Sequence, residues 1–264
     1  MAIDLDAIRK RLNGLQNKTS QQNNLWKPEP GKQQVRIVPY QYNKDYPFVE
    51  LYFHYGLNGK NYLSPLSFGK PDPIVEFAEK LKATGNSDDW KLSRKLQPRM
   101  RTYAPVVVRG KEHEGVKFWG FGKQVYTELL GFISDPDYGD ITDPVNGRDI
   151  TVEFTTAEES GKQFPTTSIR VKPNQTPISD NPSVLEKVTN QNEIVTVFKE
   201  VSYDDLKSEL EKWLDPSVSE EETKTVEYTA EEKTTTTNTT SNQTETKKAS
   251  ADDISSAFEE LFNK

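Results

Sequence analysis

The spacing of apolar residues switches between two periods along this chain, and the switches mark its elements. Side chains two apart share a strand face, and those three or four apart share a helix face. Val35, Ile37 and Pro39 alternate with Arg36 and Val38, which predicts a strand. Residues 48–55 are dense in aromatic and β-branched side chains and predict another. Asn58-Gly59 offers a two-residue turn before Tyr62-Leu63, so a hairpin is expected. Residues 73–81 carry Ile74, Phe77, Ala78 and Leu81 at helical spacing. Strands are expected over 103–109 and 116–121, joined by a charged turn, and a helix over 123–133 through Val125, Leu129 and Leu130. Two more short strands, 150–154 and 168–171, flank a turn containing Gly161. Residues 202–215 predict a closing helix, with Ser202 as its cap, Asp204 and Asp205 at its positive end, and Pro216 beyond it.

Short strands, frequent turns and few long helices predict a mainly β fold with inserted helices, a small barrel or sandwich spanning 24–215. The flanks differ. Residues 1–23 form an arm in which Ile8, Leu12 and Leu15 oppose Arg9, Lys10 and Arg11, followed by a polar run that includes Lys18, Thr19 and Ser20. Residues 216–264 form a tail with eleven acidic and five basic residues, almost devoid of apolar side chains up to Ser250. Such a stretch cannot offset its ordering entropy by burial, so disorder is expected there. At its tip, 250–264, Ile254, Phe258, Leu261 and Phe262 fall in helical phase beside Asp252, Asp253, Glu259 and Glu260. An acidic amphipathic tip on a polar leash predicts a partner-docking element.

Charge changes this picture. The chain carries a net −7, but the tail accounts for nearly all of it. Between Lys91 and Tyr126 stand nine basic residues (Lys91, Arg94, Lys95, Arg99, Arg101, Arg109, Lys111, Lys117 and Lys123) against only Glu112 and Glu114. Trp90, Tyr103, Phe118, Trp119, Phe121 and Tyr126 interleave with them. Cations neutralise phosphates and flat rings stack on unpaired bases, which is what a single strand of nucleic acid requires. An oligonucleotide-binding (OB-fold) barrel is the architecture that best suits such a groove.

Little else points to chemistry. The chain has no cysteine, which removes disulfides, thiolate metal sites and a cysteine nucleophile. Phe121-Gly122-Lys123 lacks the rest of a phosphate-binding loop. Asp135, Asp137, Asp140 and Asp143 miss the spacing of a calcium loop and read as turns. His54, within an aromatic strand, reads as a buried, hydrogen-bonded residue, and His113 as a solvated one. No enzymatic turnover is expected, no membrane span, and no secretion signal; an intracellular protein is expected.

Several segments, in this order and spacing, resemble the single-stranded DNA-binding (helix-destabilising) proteins of T4-type bacteriophages. They are Trp26-Lys27, QVRIVP at 34–39, Pro47-Phe48, His54-Tyr55-Gly56, Asn58-Gly59-Lys60 with Tyr62, RMRTYAPVVV at 99–108 and GVKFWGFGKQVY at 115–126. The resemblance implies an OB-fold cleft for single-stranded DNA, contacted by Arg99, Arg101 and Tyr103 on one strand and Lys117, Trp119, Phe121 and Lys123 on the next. Tyr62 and Phe164 match further aromatic positions, and Lys91, Arg94 and Lys95 join the set through the basic window. In this family a zinc-binding insert uses one His and three Cys. Here His54 stands at the histidine's place, but the Cys-Pro-x-Cys turn reads Asp72-Pro73-Ile74-Val75, so the insert near 54–90 is expected to hold no zinc and the protein no cofactor. Packing of Ile74, Val75, Phe77 and Leu81 is expected to hold it instead.

The resemblance further implies self-association along DNA through the arm (Arg9, Lys10, Arg11, Lys18, Thr19, Ser20). It implies roles in viral replication, recombination and repair in the cytoplasm of an infected bacterium. The tail's implied partners are DNA polymerase, helicase loader, primase-helicase and recombination mediator. Two other readings stay open: a single-stranded RNA-binding module, and a scaffold whose basic window meets an acidic protein.

Overall fold

The computed structural model describes residues 24–214 apart from Lys199. The arm and the tail therefore lie outside the described residues, as do the expectations placed on them. Among the described residues eight strands form one mixed sheet, accompanied by six α-helices and short 3-10 turns. The strands are β1 (Leu25–Trp26), β2 (Gly31–Ile37), β3 (Val49–Leu57), β4 (Lys60–Leu63), β5 (Arg99–Val108), β6 (Lys117–Phe121), β7 (Arg148–Thr155) and β8 (Thr166–Gln175). The helices are α1 (Pro73–Ala83), α2 (Ser87–Leu96), α3 (Lys123–Ser134), α4 (Ala157–Ser160), α5 (Pro182–Thr189) and α6 (Tyr203–Leu214). Strand order is β1-β6-β5-β2-β7-β8, and β3 pairs with β4 and β5. The mainly β expectation with inserted helices is met at this level.

The chain divides into two compact units. One comprises the described residues up to Phe53 together with Met100–Glu200. Its core gathers Val35 and Ile37 of β2, Ala104 and Val106 of β5, Trp119 and Phe121 of β6, Leu129 of α3, and Ile150 and Val152 of β7. The alternation along β2 explains why: Val35 and Ile37 enter this core, and Arg36 points to the other face. Arg36 is nonetheless fully buried. Its Nε donates to Asp149 Oδ1 at 3.0 Å and its Nη2 to the Thr176 carbonyl at 2.8 Å. Arg109 grips the same carboxylate through Nη2 at 2.8 Å and donates to the Pro177 carbonyl at 2.9 Å. Burial lowers the hold of Arg36 on its proton, Asp149 opposes that, and the neighbouring Arg109 adds to it. One cation of the basic window, Arg109, is thus committed to holding strands together.

The other unit comprises His54–Arg99 and the described residues from Val201 onward. Leu57, Ile74, Phe77, Ala78, Leu81, Leu96, Leu206 and Leu210 form its core, with Tyr62 and Trp213 packed against it. Asn58 and Gly59 both take positive φ, as the two-residue hairpin turn demands. Asp72 caps α1 by accepting from the Ile74 and Val75 amides, and Pro73 follows at the first helical position. Ser202 caps α6 through Asp205 N at 3.1 Å. Helices α2, α4 and α5 and strand β1 were not foreseen from the pattern.

Candidate nucleic-acid interface

Register decides which side chains of β5 and β6 can meet a ligand. In the antiparallel β5–β6 ladder Thr102 lies opposite Phe121, Tyr103 opposite Gly120, Ala104 opposite Trp119 and Val106 opposite Lys117. Directly opposed residues project from the same face. Arg101 and Tyr103 therefore share a face with Gly120, whereas Trp119 and Phe121 share the other with Ala104 and Thr102. Sequence grouping had joined all of them in one binding surface, and the structure places them on two. Trp119 is 1% exposed, its ring edge-on to Trp26 at 5.6 Å and tilted against Phe121 at 4.7 Å. Both rings belong to the core, so the expectation that they are presented to bases is corrected: alternation plus a one-residue register turned them inward. Tyr103 is also buried, among Phe53 and Phe198. Its ring lies over β6 only because Gly120 has no side chain; a Cβ there would approach Tyr103 to 2.6 Å.

What this unit does expose is cationic. Arg101 is exposed and donates from Nη2 to the Gly120 carbonyl at 2.8 Å, which orients its guanidinium over β6. Lys123 is exposed on the first turn of α3, whose cap, Gly122, offers that turn no side-chain acceptor. Opposition of Thr102 and Phe121 puts Arg101 at the end of the ladder from which α3 starts. Cations beside an uncapped helix start attract anions. Lys117 is half-buried and paired with Glu114 at 3.3 Å. Phe164, in the loop between β7 and β8, is 67% exposed, a free ring suited to stacking.

In the other unit the exposed cations sit on α2. Asn86 caps it through the Asp88 amide, with Asp88 and Asp89 in its first turn and Arg94 and Lys95 in its last, the charge order the helix dipole favours. Trp90 is 46% exposed, and Arg94, one turn on, lies 5.0 Å over its ring. Lys91 is exposed beside Asp88 at 2.8 Å, and Lys95 lies 5.4 Å over Trp213. Arg99 is exposed at the start of β5. Tyr62 is half-buried and donates to Glu209 Oε2 at 2.6 Å. Burial and that carboxylate raise its phenol well above the ordinary value, and the same bond holds Glu209 below the usual carboxylate range. Trp90 was counted among the window's aromatics but not among the expected contacts. The Trp–Arg pair at four-residue spacing behind an Asn cap was the signal that would have found it.

The residues at the expected zinc position do not fit a metal. Both ring nitrogens of His54 are engaged, Nδ1 with the Leu96 carbonyl and Nε2 with Asp72 Oδ2, each at 2.9 Å. Asp72 Oδ1 accepts from two amides and Oδ2 also from Ser64 Oγ. At the second cysteine's place stands Val75, which has no donor atom. Among the described residues no group of three or more His, Asp or Glu could hold a metal ion. The aspartates near 135–143 accept amide bonds from their own loop, Asp140 from Thr142 and Asp143 from Val145 and Asn146. Nor is any helix of the described residues long and apolar enough to cross a membrane.

A model of the gp32 DNA binding protein like family matches residues 29–214. The chain belongs to that family. This is a family of DNA-binding proteins rather than of enzymes, and it bears out the resemblance to the T4-type single-stranded DNA-binding proteins. No match is found among curated proteins.

Proposed function

We propose that this protein coats single-stranded DNA without reading its sequence and, through an OB-fold cleft, keeps unpaired strands open in viral DNA replication, recombination and repair. The observation that carries the reading is the α2 surface, where an exposed Trp90 is layered with Arg94 and flanked by Lys91 and Lys95, in a member of a DNA-binding family. A ring and cations on one helix face bind a base and its phosphates together without any base-edge contact. Arg99, Arg101, Lys123 and the exposed ring of Phe164 supply further contacts of the same kind. Binding is favourable only on unpaired strands, so hairpins melt by mass action. The protein acts by stoichiometry and not by turnover.

The flanks complete the proposal. The arm, through Arg9, Lys10, Arg11, Lys18, Thr19 and Ser20, links neighbours along the strand. The acidic tail competes with DNA for the cationic surface, and once displaced its tip recruits the phage's replication partners: DNA polymerase, helicase loader, primase-helicase and recombination mediator. The setting is the cytoplasm of the infected bacterium.

The test is a fluorescence titration of the full chain with oligo-dT, oligo-rU and a duplex of equal length. Tight binding to oligo-dT alone is expected, with log affinity falling against log salt at a slope near −3.5 if about five phosphates are neutralised. Preference for oligo-rU would move the reading to RNA, and no binding to any of the three would move it to a scaffold. Deletion of residues 216–264 should tighten binding; an unchanged affinity would refute the competition.

A further inference from the structure

We infer that a metal-free hydrogen-bonded hub, His54–Asp72–Ser64, does in the unit of His54–Arg99 the cross-linking work of a bound metal, and that it positions the Trp90 face of α2. The hub is fully internal: His54, Ser64 and Asp72 are all buried. Asp72 is its centre. One carboxylate oxygen receives the Ile74 and Val75 amides at 2.9 and 3.2 Å, and the other receives His54 Nε2 and Ser64 Oγ. All four acceptor positions are therefore filled. A carbonyl can only accept, so His54 donates through Nδ1 to Leu96 O, and it donates through Nε2 to the carboxylate. Both ring nitrogens are thereby engaged, and the buried carboxylate of Asp72 has a polar partner at each of its oxygens.

Four segments meet there. His54 comes from β3, Ser64 caps the turn after β4, Asp72 caps α1, and Leu96 is the last residue of α2. A metal ion ties a small unit together by taking ligands from separate segments. This hub ties four segments with hydrogen bonds to one carboxylate and one imidazole. Burial by itself opposes the charged form of Asp72, yet the bonds from His54, Ser64 and Val75 hold its carboxyl below the usual range. The Leu96 carbonyl is one of the orphan acceptors of a helix end. Fixing it fixes the last turn of α2, which carries Arg94 and Lys95 one turn beyond Trp90. His54 is thus a positioning residue for that face, and the consequence for DNA rests on the function proposed above.

The experiment uses the full chain and two readouts. The first, without DNA, is amide hydrogen exchange across α2. Wild-type protection should be unchanged by EDTA and by added zinc chloride, and elemental analysis should find no stoichiometric zinc. In His54→Ala, protection of the last α2 turn should fall by roughly tenfold or more, because a buried carboxylate has lost its partner. Ser64→Ala, which deletes one neutral bond and spares the His54–Asp72 bond, should lower it only about threefold to tenfold, and stands in if His54→Ala does not fold. Asp72→Asn should restore protection in the His54→Gln background, since two neutral amides can pair. Retained zinc, loss of protection in EDTA, or unaltered protection in both His54→Ala and Ser64→Ala would overturn the hub. The second readout is the salt slope of oligo-dT binding, which should flatten in His54→Ala and equally in Arg94→Ala, and no further in the double variant. Additive flattening would leave the hub intact but overturn its positioning role. If the wild type binds no oligo-dT, the functional reading fails while the exchange results still decide the hub.

Discussion

Trp90 and Trp119 belong to one basic stretch of sequence, and the fold gives them opposite work. Trp119 sits in a strand whose register turns it into a core of Trp26, Phe121 and Ala104. Trp90 sits on a helix whose apolar side chains, Leu92 and Leu96, are enough to dock it on the other core, which leaves the indole outside under Arg94. The same residue type next to the same kind of cations is therefore core in one place and exposed in the other. The lesson concerns period. On a strand every second residue is committed to the core, so interleaved aromatics and cations separate onto opposite faces. On a helix the two types can share a face at four-residue spacing.

The strongest way to break this comparison is Trp119→Ala. It should cost about 3–5 kcal/mol of stability by leaving a large cavity, read as a shift of the denaturant midpoint. An unchanged midpoint would mean that the ring is not core. Trp90→Ala should instead leave stability within about 0.5 kcal/mol and weaken oligo-dT binding by about 1–3 kcal/mol through lost stacking. Much of the fluorescence quenching on DNA binding should vanish with it. Quenching that persists in Trp90→Phe and disappears in Trp119→Phe would reverse the assignment.

Gly120→Ala sharpens the β5–β6 side of the comparison. The added methyl meets the Tyr103 ring, so about 1–3 kcal/mol of stability should be lost, and Tyr103→Ala in the same chain should relieve part of the strain. A gain in stability for Gly120→Ala would contradict the face assignment. The smallest expected effect is acidic. Glu209 has its carboxyl held below the ordinary value by Tyr62, so its contribution is present above about pH 4.3 and is lost as pH falls through the lowered folded value. Tyr62→Phe should reduce that acid-side loss, with Asn58 and Lys212 keeping the remainder, which thermal melts between pH 3 and pH 6 would detect.

Much of the fold was legible because its cues are local. The turn at Asn58-Gly59, the helix expected over 73–81 and found at Pro73–Ala83, and the strand pair around Gly161 each follow from neighbours in the chain. Helix α2 was missed because its few apolar residues gave little periodic signal; the Asn86 cap and its order of acids before bases carried the information instead. Strand β1 has only two residues and exists through its parallel pairing with β6, which no local pattern announces. The basic stretch was visible as composition, but Arg109 proved to be a clamp on Asp149.

By itself, then, the amino-acid order determined the types of the strongly periodic elements, the charge division between body and tail, and the lack of any thiol for a metal, since each depends on residue identity or short-range spacing. Only the tertiary structure decided which rings are buried and which stay exposed, which arginines are spent internally, and that His54, Ser64, Asp72 and the Leu96 carbonyl converge. Those outcomes depend on strand register and on contacts between distant segments, where a shift of one residue exchanges inside for outside.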